Sequence, residues 1–133
     1  MVRLNPQPCA ATLRPGDRIC RSDALHDGDR GVRFQVECRD HVEPAFAVRH
    51  TGLVTAFLNR CAHRFLELDW QEGEFFDSEQ RFLVCATHDA RYDPATGVCV
   101  SGPCRGAKLV VLPVREADGW VWLTSVPSVV PQR

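Results

Sequence analysis

The chain has 133 residues, 16 of them basic and 17 acidic, with a formal net charge of -1. That length suits one domain with a real core and leaves no room for a cofactor-binding domain plus a separate substrate domain. The balanced charge excludes a general pull toward phosphate backbones or anionic membrane surfaces, so no nucleic acid and no membrane is expected as a partner.

The first residues, MVRLNPQPCAATLRPGD, lack the continuous apolar stretch of a secretory signal, and no later apolar run approaches bilayer-spanning length. A cytoplasmic location is the expectation. Residues 1 to about 28 are rich in Pro, Arg and Asp without sustained periodicity, which predicts an extended arm or loops lying over a body formed later. From Val32 the pattern changes: Val32, Phe34, Val36 and Cys38 alternate with polar residues, as a half-buried strand requires. Two more strands are predicted, Ala45 to His50 and Leu53 to Leu58, and the Thr51-Gly52 connection between them reads as a hairpin turn.

Between Asn59 and Gly106 the apolar periodicity weakens and turn residues, Cys and His dominate. This stretch is expected to owe its order to something other than a large apolar core, and a bound metal would supply it. At most one short helical turn is expected, over Phe65 to Gln71. Strands over Leu109 to Arg115 and Trp120 to Thr124 then flank Glu116, Ala117, Asp118 and Gly119, a hairpin with Asp-Gly in its turn. The tail after Ser125, with its prolines, should be loosely held. No internal repeat, low-complexity tract or long amphipathic helix is visible. The expected fold class is all-β, a single domain over 1–133 with a loop-rich lobe at 59–106 inserted between strands.

The seven cysteines are many for this length, and their odd number argues against a fully paired disulfide framework. Cys61 and Cys85 sit beside histidines, in Cys61-Ala62-His63 and Cys85-Ala86-Thr87-His88, whereas Cys9, Cys20, Cys38, Cys99 and Cys104 have no such company. Each pair puts a thiolate and an imidazole on one tight loop, and two such loops facing each other can enclose a metal centre. A zinc finger usually groups two cysteines before two histidines around a ββα unit, and neither that order nor the helix is present.

This double motif resembles the Rieske iron–sulfur family, over roughly Leu53 to Leu123. The resemblance implies a Rieske-type fold of antiparallel sheets and one [2Fe–2S] cluster per chain, with Cys61 and Cys85 on one iron and His63 and His88 on the other. Tyr92 to Gly97 looks like the family's aromatic and turn segment, and Ser101-Gly102-Pro103 like the third loop that covers the cluster. High-potential members carry an extra cysteine on each loop, paired as a disulfide, where this chain offers Phe65, Leu66 and Thr87. They also place a serine near a bridging sulfide, where Ala90 stands here. Both absences imply a reduction potential toward the low end of the family range, about -150 mV. Asp89 replaces the glycine that usually follows the second histidine.

By resemblance, the protein is a small ferredoxin, monomeric or weakly associated. It would pass single electrons from a flavin reductase to a terminal oxygenase, with no catalysis of its own. Two alternatives stand beside it: an accessory subunit of a larger oxidoreductase, such as the small subunit of a nitrite reductase, and a zinc-stabilised interaction module. Tyr92 is either a core residue or a hydrogen-bond partner of the cluster ligands, and Phe65 is packed in the lobe or exposed for docking. Glu67, Asp69, Glu72, Glu74 and Asp77 form a docking face or a solvated loop. Trp70, Trp120 and Trp122 are expected in the core. Cys99 and Cys104 read as small packing residues, Cys9, Cys20 and Cys38 as structural, and His26, His41 and His50 receive no role.

Overall fold

The computed structural model describes residues 12–38, 41–61, 67–69, 71–85, 90–102 and 105–127. Eleven strands are present among them. β1 (Thr12–Leu13), β3 (Val32–Cys38), β4 (His41–His50), β5 (Leu53–Leu58) and β9 (Val111–Leu112) form a five-stranded sheet in the order β1-β3-β4-β5-β9. A second sheet holds β10 (Val114–Ala117), β11 (Trp120–Leu123) and β2 (Arg18–Arg21), in that order. The third, inside the 59–106 stretch, orders β6 (Leu83–Val84), β7 (Arg91–Tyr92) and β8 (Cys99–Ser101). All pairings are antiparallel except β1 with β3.

The five-stranded sheet is the central layer because its strands bury both faces. Side chains alternate along a strand, so Ala45 and Ala47 of β4 join Val54, Ala56 and Leu58 of β5 in a first core. That core is closed by Val121 and Leu123 of the second sheet. Phe46, Val48 and Phe57 point the other way, into a second core with Leu68, Phe75, Leu83, Tyr92 and Leu109. Phe46 stacks on Phe75 with centroids 3.9 Å apart, fastening the inserted stretch to the sheet. The expectation that this stretch lacks a substantial apolar core is therefore corrected. Its contributions are scattered single residues, which no sequence period reveals, and the sheet supplies the other half.

Both predicted hairpins are present, and each has a two-residue loop. His50 pairs with Leu53 across Thr51 (φ 49°) and Gly52 (φ 84°), and Ala117 pairs with Trp120 across Asp118 (φ 57°) and Gly119 (φ 80°). Two consecutive positive φ values match the twist of the flanking strands, which is why Gly occupies the second place in both loops.

Other boundaries differ. β4 begins at His41, four residues before the predicted start. Pro44 is tolerated there because its C=O accepts from Asn59 N just past the end of β5, where the ladder asks no donor of it. The strand predicted over Leu109 to Arg115 is split at Pro113, with β9 in the central sheet and β10 in the second. The described part of the N-terminal arm is built into sheets, since β1 pairs with β3 and β2 with β11. Val126 packs on the first core, so the described start of the tail is held. Trp120 and Trp122 are only half-buried: Val121 and Leu123 take the inward positions of β11, leaving the indoles on the outer face. Arg18 and Arg21 cover them there, with the Arg18 guanidinium 4.2 Å from the Trp120 ring centre. Trp70 and the predicted helical residues 65 and 66 lie outside the described residues. No helix among the described residues is long and apolar enough to cross a membrane.

Candidate metal centre

The first cysteine loop leaves the central sheet directly. Asn59 N donates to Pro44 O at 2.8 Å, extending the β4–β5 ladder by one rung, and Cys61 follows two residues later with its side chain fully buried. Cys85 follows β6, and its backbone N–H donates to Ala90 O at 2.9 Å, so both ends of the segment 86–89 are tied where β7 begins. Cys61 and Cys85 are thus brought into one apolar cluster with Ala90, Tyr92 and Cys99. His63 and His88 lie outside the described residues, as do Phe65, Leu66, Thr87, Asp89, Pro103 and Cys104.

Tyr92 is fully buried, and its hydroxyl lies 3.2 Å from Cys61 Sγ. Tyr92 is thus a core residue that also reaches the Cys61 sulfur. Either atom can donate in this pair; a Cys61 thiolate would have no proton to give and would make the phenol the donor. Gly102, in the segment matched to the third loop, has φ +102°, and a Cβ there would stand 2.8 Å from Ala90 Cα. Only glycine permits both that conformation and that approach. The third loop therefore presses on the backbone that closes the second.

The acidic residues do not form an unpaired face. Asp69 is buried; its Oδ1 accepts from Asn59 Nδ2 at 3.0 Å and its Oδ2 from Gly73 N at 2.9 Å, with Arg33 Nε at 3.3 Å. Glu67 pairs with Arg33 at 2.6 Å, Glu72 with Arg33 at 4.0 Å, and Glu74 with Arg30 at 3.4 Å. Asp77 accepts from the backbone N–H of Arg81 at 2.9 Å and from Arg91 of β7 at 3.1 Å. Burial pushes the Asp77 carboxyl up, but the Arg81 and Phe82 amides and the Arg91 charge outweigh it and hold the group below the ordinary carboxylate range. Asn59 is the residue that sequence reasoning missed; a lone Asn at a strand end signals a turn, and only its burial reveals more.

Other thiols and imidazoles have ordinary places. Burial pushes the Cys20 thiol up to about 11 and raises that of Cys38, so both stay protonated beside the first core. Cys99 is buried in the second core and donates from Sγ to Ser101 O at 3.2 Å. His41 pairs with Glu43 at 3.0 Å, and His50 stacks on Phe76.

The chemistry of the described residues fits an iron–sulfur group: two buried cysteine sulfurs in a dry apolar setting, one of them 3.2 Å from a phenolic hydroxyl. Comparison with known proteins agrees. The Rieske [2Fe-2S] domain model matches residues 18–127. Oxidoreductase NdmD of Pseudomonas putida is 35% identical over 81 residues, 56% of this chain and 13% of that protein, so the match spans a small part of its length. Among solved structures, the ferredoxin of carbazole 1,9a-dioxygenase from Nocardioides aromaticivorans IC177 superposes with a TM-score of 0.65 at 23% identity, over 84% of this chain and 99% of that one. The terminal oxygenase of the same system superposes with a TM-score of 0.67 at 21% identity, over 90% of this chain and 32% of that one.

Proposed function

The chain belongs to the Rieske [2Fe-2S] domain family, and from that premise we propose that it is a one-electron carrier whose [2Fe–2S] cluster is held by Cys61, His63, Cys85 and His88. The observation that carries this reading is the pair of fully buried cysteines, Cys61 and Cys85, in one apolar cluster with the Tyr92 hydroxyl 3.2 Å from Cys61 Sγ. Bound there, the cluster supplies a site that takes up and returns a single electron. The chain's own residues set its conditions. Phe75, Leu83, Ala90 and Leu109 exclude water from the cysteine side, and the Tyr92 O–H stabilises negative charge on Cys61. Ala90 offers no hydroxyl, which keeps the potential low in the family range, near about -150 mV.

The fold it shares with a dioxygenase ferredoxin supports a flavin reductase as donor and a terminal oxygenase as acceptor. Ser101 and Gly102, at the end of β8, are exposed, and Gly102 lies against Ala90.

Anaerobic purification followed by visible absorption and low-temperature EPR, before and after dithionite, tests the reading. A red-brown protein that bleaches and gives a rhombic signal with average g below the free-electron value is expected, as is loss of that signal in His63→Ala and His88→Ala. A colourless protein with stoichiometric zinc and neither iron nor sulfide after reconstitution overturns it. Stoichiometric co-purification with a large reductase would replace the carrier by an accessory subunit.

A further inference from the structure

Asn59 and Asp69 are buried polar residues facing each other across ten positions of chain, and the segment between them carries Cys61 and His63. We propose that Asn59, Asp69 and Arg33 form a polar clasp that ties the two ends of this segment together and sets how firmly the protein retains its cluster, an inference that rests on the ligand reading above.

The clasp is specific in every atom. Leu68 N donates to Asn59 Oδ1 at 2.8 Å, which fixes the amide orientation, because a backbone N–H must meet the oxygen. The amide nitrogen is thereby turned to Asp69 Oδ1 at 3.0 Å. Asp69 Oδ2 takes Gly73 N at 2.9 Å and lies 3.3 Å from Arg33 Nε. Asp69 is 7% exposed overall, and its side chain is fully buried. A carboxylate is kept in such a place only where its partners are fixed, since desolvation otherwise penalises it heavily.

The anchors belong to the rigid central sheet. Asn59 continues the β4–β5 ladder through Pro44 O, and Arg33 belongs to β3, opposite Phe46. Both ends of the cysteine segment are thus pinned to one sheet. Asn59, Asp69 and Arg33 are positioning residues, since none of them is assigned to the metal.

The bond between an amide and a carboxylate predicts a swap. Asn59→Asp sets two carboxylates against each other. Asp69→Asn forces a choice: an amide N–H against the Asn59 amide, or one against Gly73 N and Arg33. The double swap restores one donor and one acceptor, with Gly73 N and Leu68 N still meeting oxygens.

The experiment follows cluster loss from the holoprotein in excess iron chelator by visible absorbance, with the thermal midpoint measured on the same samples. Each single variant is expected to lose its cluster about tenfold faster, the scale of a lost charge-assisted hydrogen bond, and the double swap to return to within about threefold of wild type. Glu116→Gln, which breaks the remote ion pair with Arg49, should lower the thermal midpoint without hastening cluster loss. Additive effects in the double swap overturn the clasp. So does a rate increase in Glu116→Gln that matches the single variants for the same thermal shift. If the single variants fail to fold, the swap decides alone, because it must fold and hold its cluster. A wild type that takes up no iron and sulfide fails at the ligand step, and the clasp falls with it.

Discussion

Replacing Tyr92 with Phe removes one oxygen from a buried site and nothing else. The ring keeps its place in the second core, and Cys61, a cluster ligand in the proposed reading, loses the phenolic hydroxyl beside its sulfur. The lost contact is a 3.2 Å O–H···S hydrogen bond to a sulfur whose negative charge grows on reduction. Net hydrogen bonds contribute about 1 kcal/mol between neutral partners and about 1.5–3 kcal/mol to charged ones. The difference between the two redox states is then about 1 kcal/mol in favour of the reduced protein. For a one-electron couple about 59 mV is a tenfold change in equilibrium, or about 1.4 kcal/mol, so the midpoint potential of Tyr92→Phe should fall by about 40 mV. Thermal stability should change by no more than about 1 kcal/mol. Potentiometric titration followed by EPR, with wild type measured in the same buffer, reads the shift directly. A potential unchanged or raised, in a variant that holds a full cluster, would refute the assignment of Tyr92 as a donor to the ligand sulfur.

Further outcomes are fixed by the same geometry. Gly102→Ala must strain a φ of +102° and push its Cβ to 2.8 Å from Ala90 Cα. It should cost about 1–3 kcal/mol in thermal unfolding and weaken cluster retention, because the third loop lifts from the second. Phe75→Ala empties one side of a 3.9 Å ring stack in the second core and should cost about 3–5 kcal/mol by urea midpoint, with the slope unchanged. Arg49, hydrogen-bonded at 2.6 Å, holds the Glu116 carboxyl below its ordinary value of 4.5. A carboxyl depressed in the folded state stabilises above its unfolded pKa and loses that contribution as pH falls through the folded value. The advantage of wild type over Glu116→Gln should therefore be about 0.5–1 kcal/mol at pH 7, given the partial exposure, and fade in pH-dependent denaturation as pH falls from 4.5 through the lower folded value.

The turns were the most legible parts of the chain. Thr51-Gly52 and Asp118-Gly119 announce their hairpins because two consecutive positive φ values admit few residue pairs. Cys61 and Cys85 stand out because thiolate and imidazole at short spacing have few uses besides metal, and Tyr92 follows from its place after the second loop. Where the reading slipped, a tertiary neighbour had overruled a local rule. Trp120 and Trp122 belong in a core by size, but the register of β11 gives the inward places to Val121 and Leu123, and Arg18 and Arg21 then shield the indoles. Leu109 to Arg115 reads as one strand until Pro113 has to hand the chain from one sheet to another.

The clasp was illegible for a related reason, and β3 shows why. Alternation sends Phe34, Val36 and Cys38 into the first core, so Arg33 and Gln35 must point from the opposite face. Read alone, that pattern means one face in the protein and one face in water. It holds at Gln35, which is exposed, and fails at Arg33, because Glu67, Asp69 and Glu72 come to lie over that end of the sheet. Phe46, paired with Arg33 across the strands, meets Phe75, while Arg33 meets Asp69. Which of two polar residues on one strand face becomes an anchor depends on where a segment more than thirty positions later comes to rest, and that segment is held there by the very residues in question. A sequence pattern describes one strand at a time. The binding of the cysteine segment to the sheet is a property of the pair of them, so it becomes visible only when both are in place.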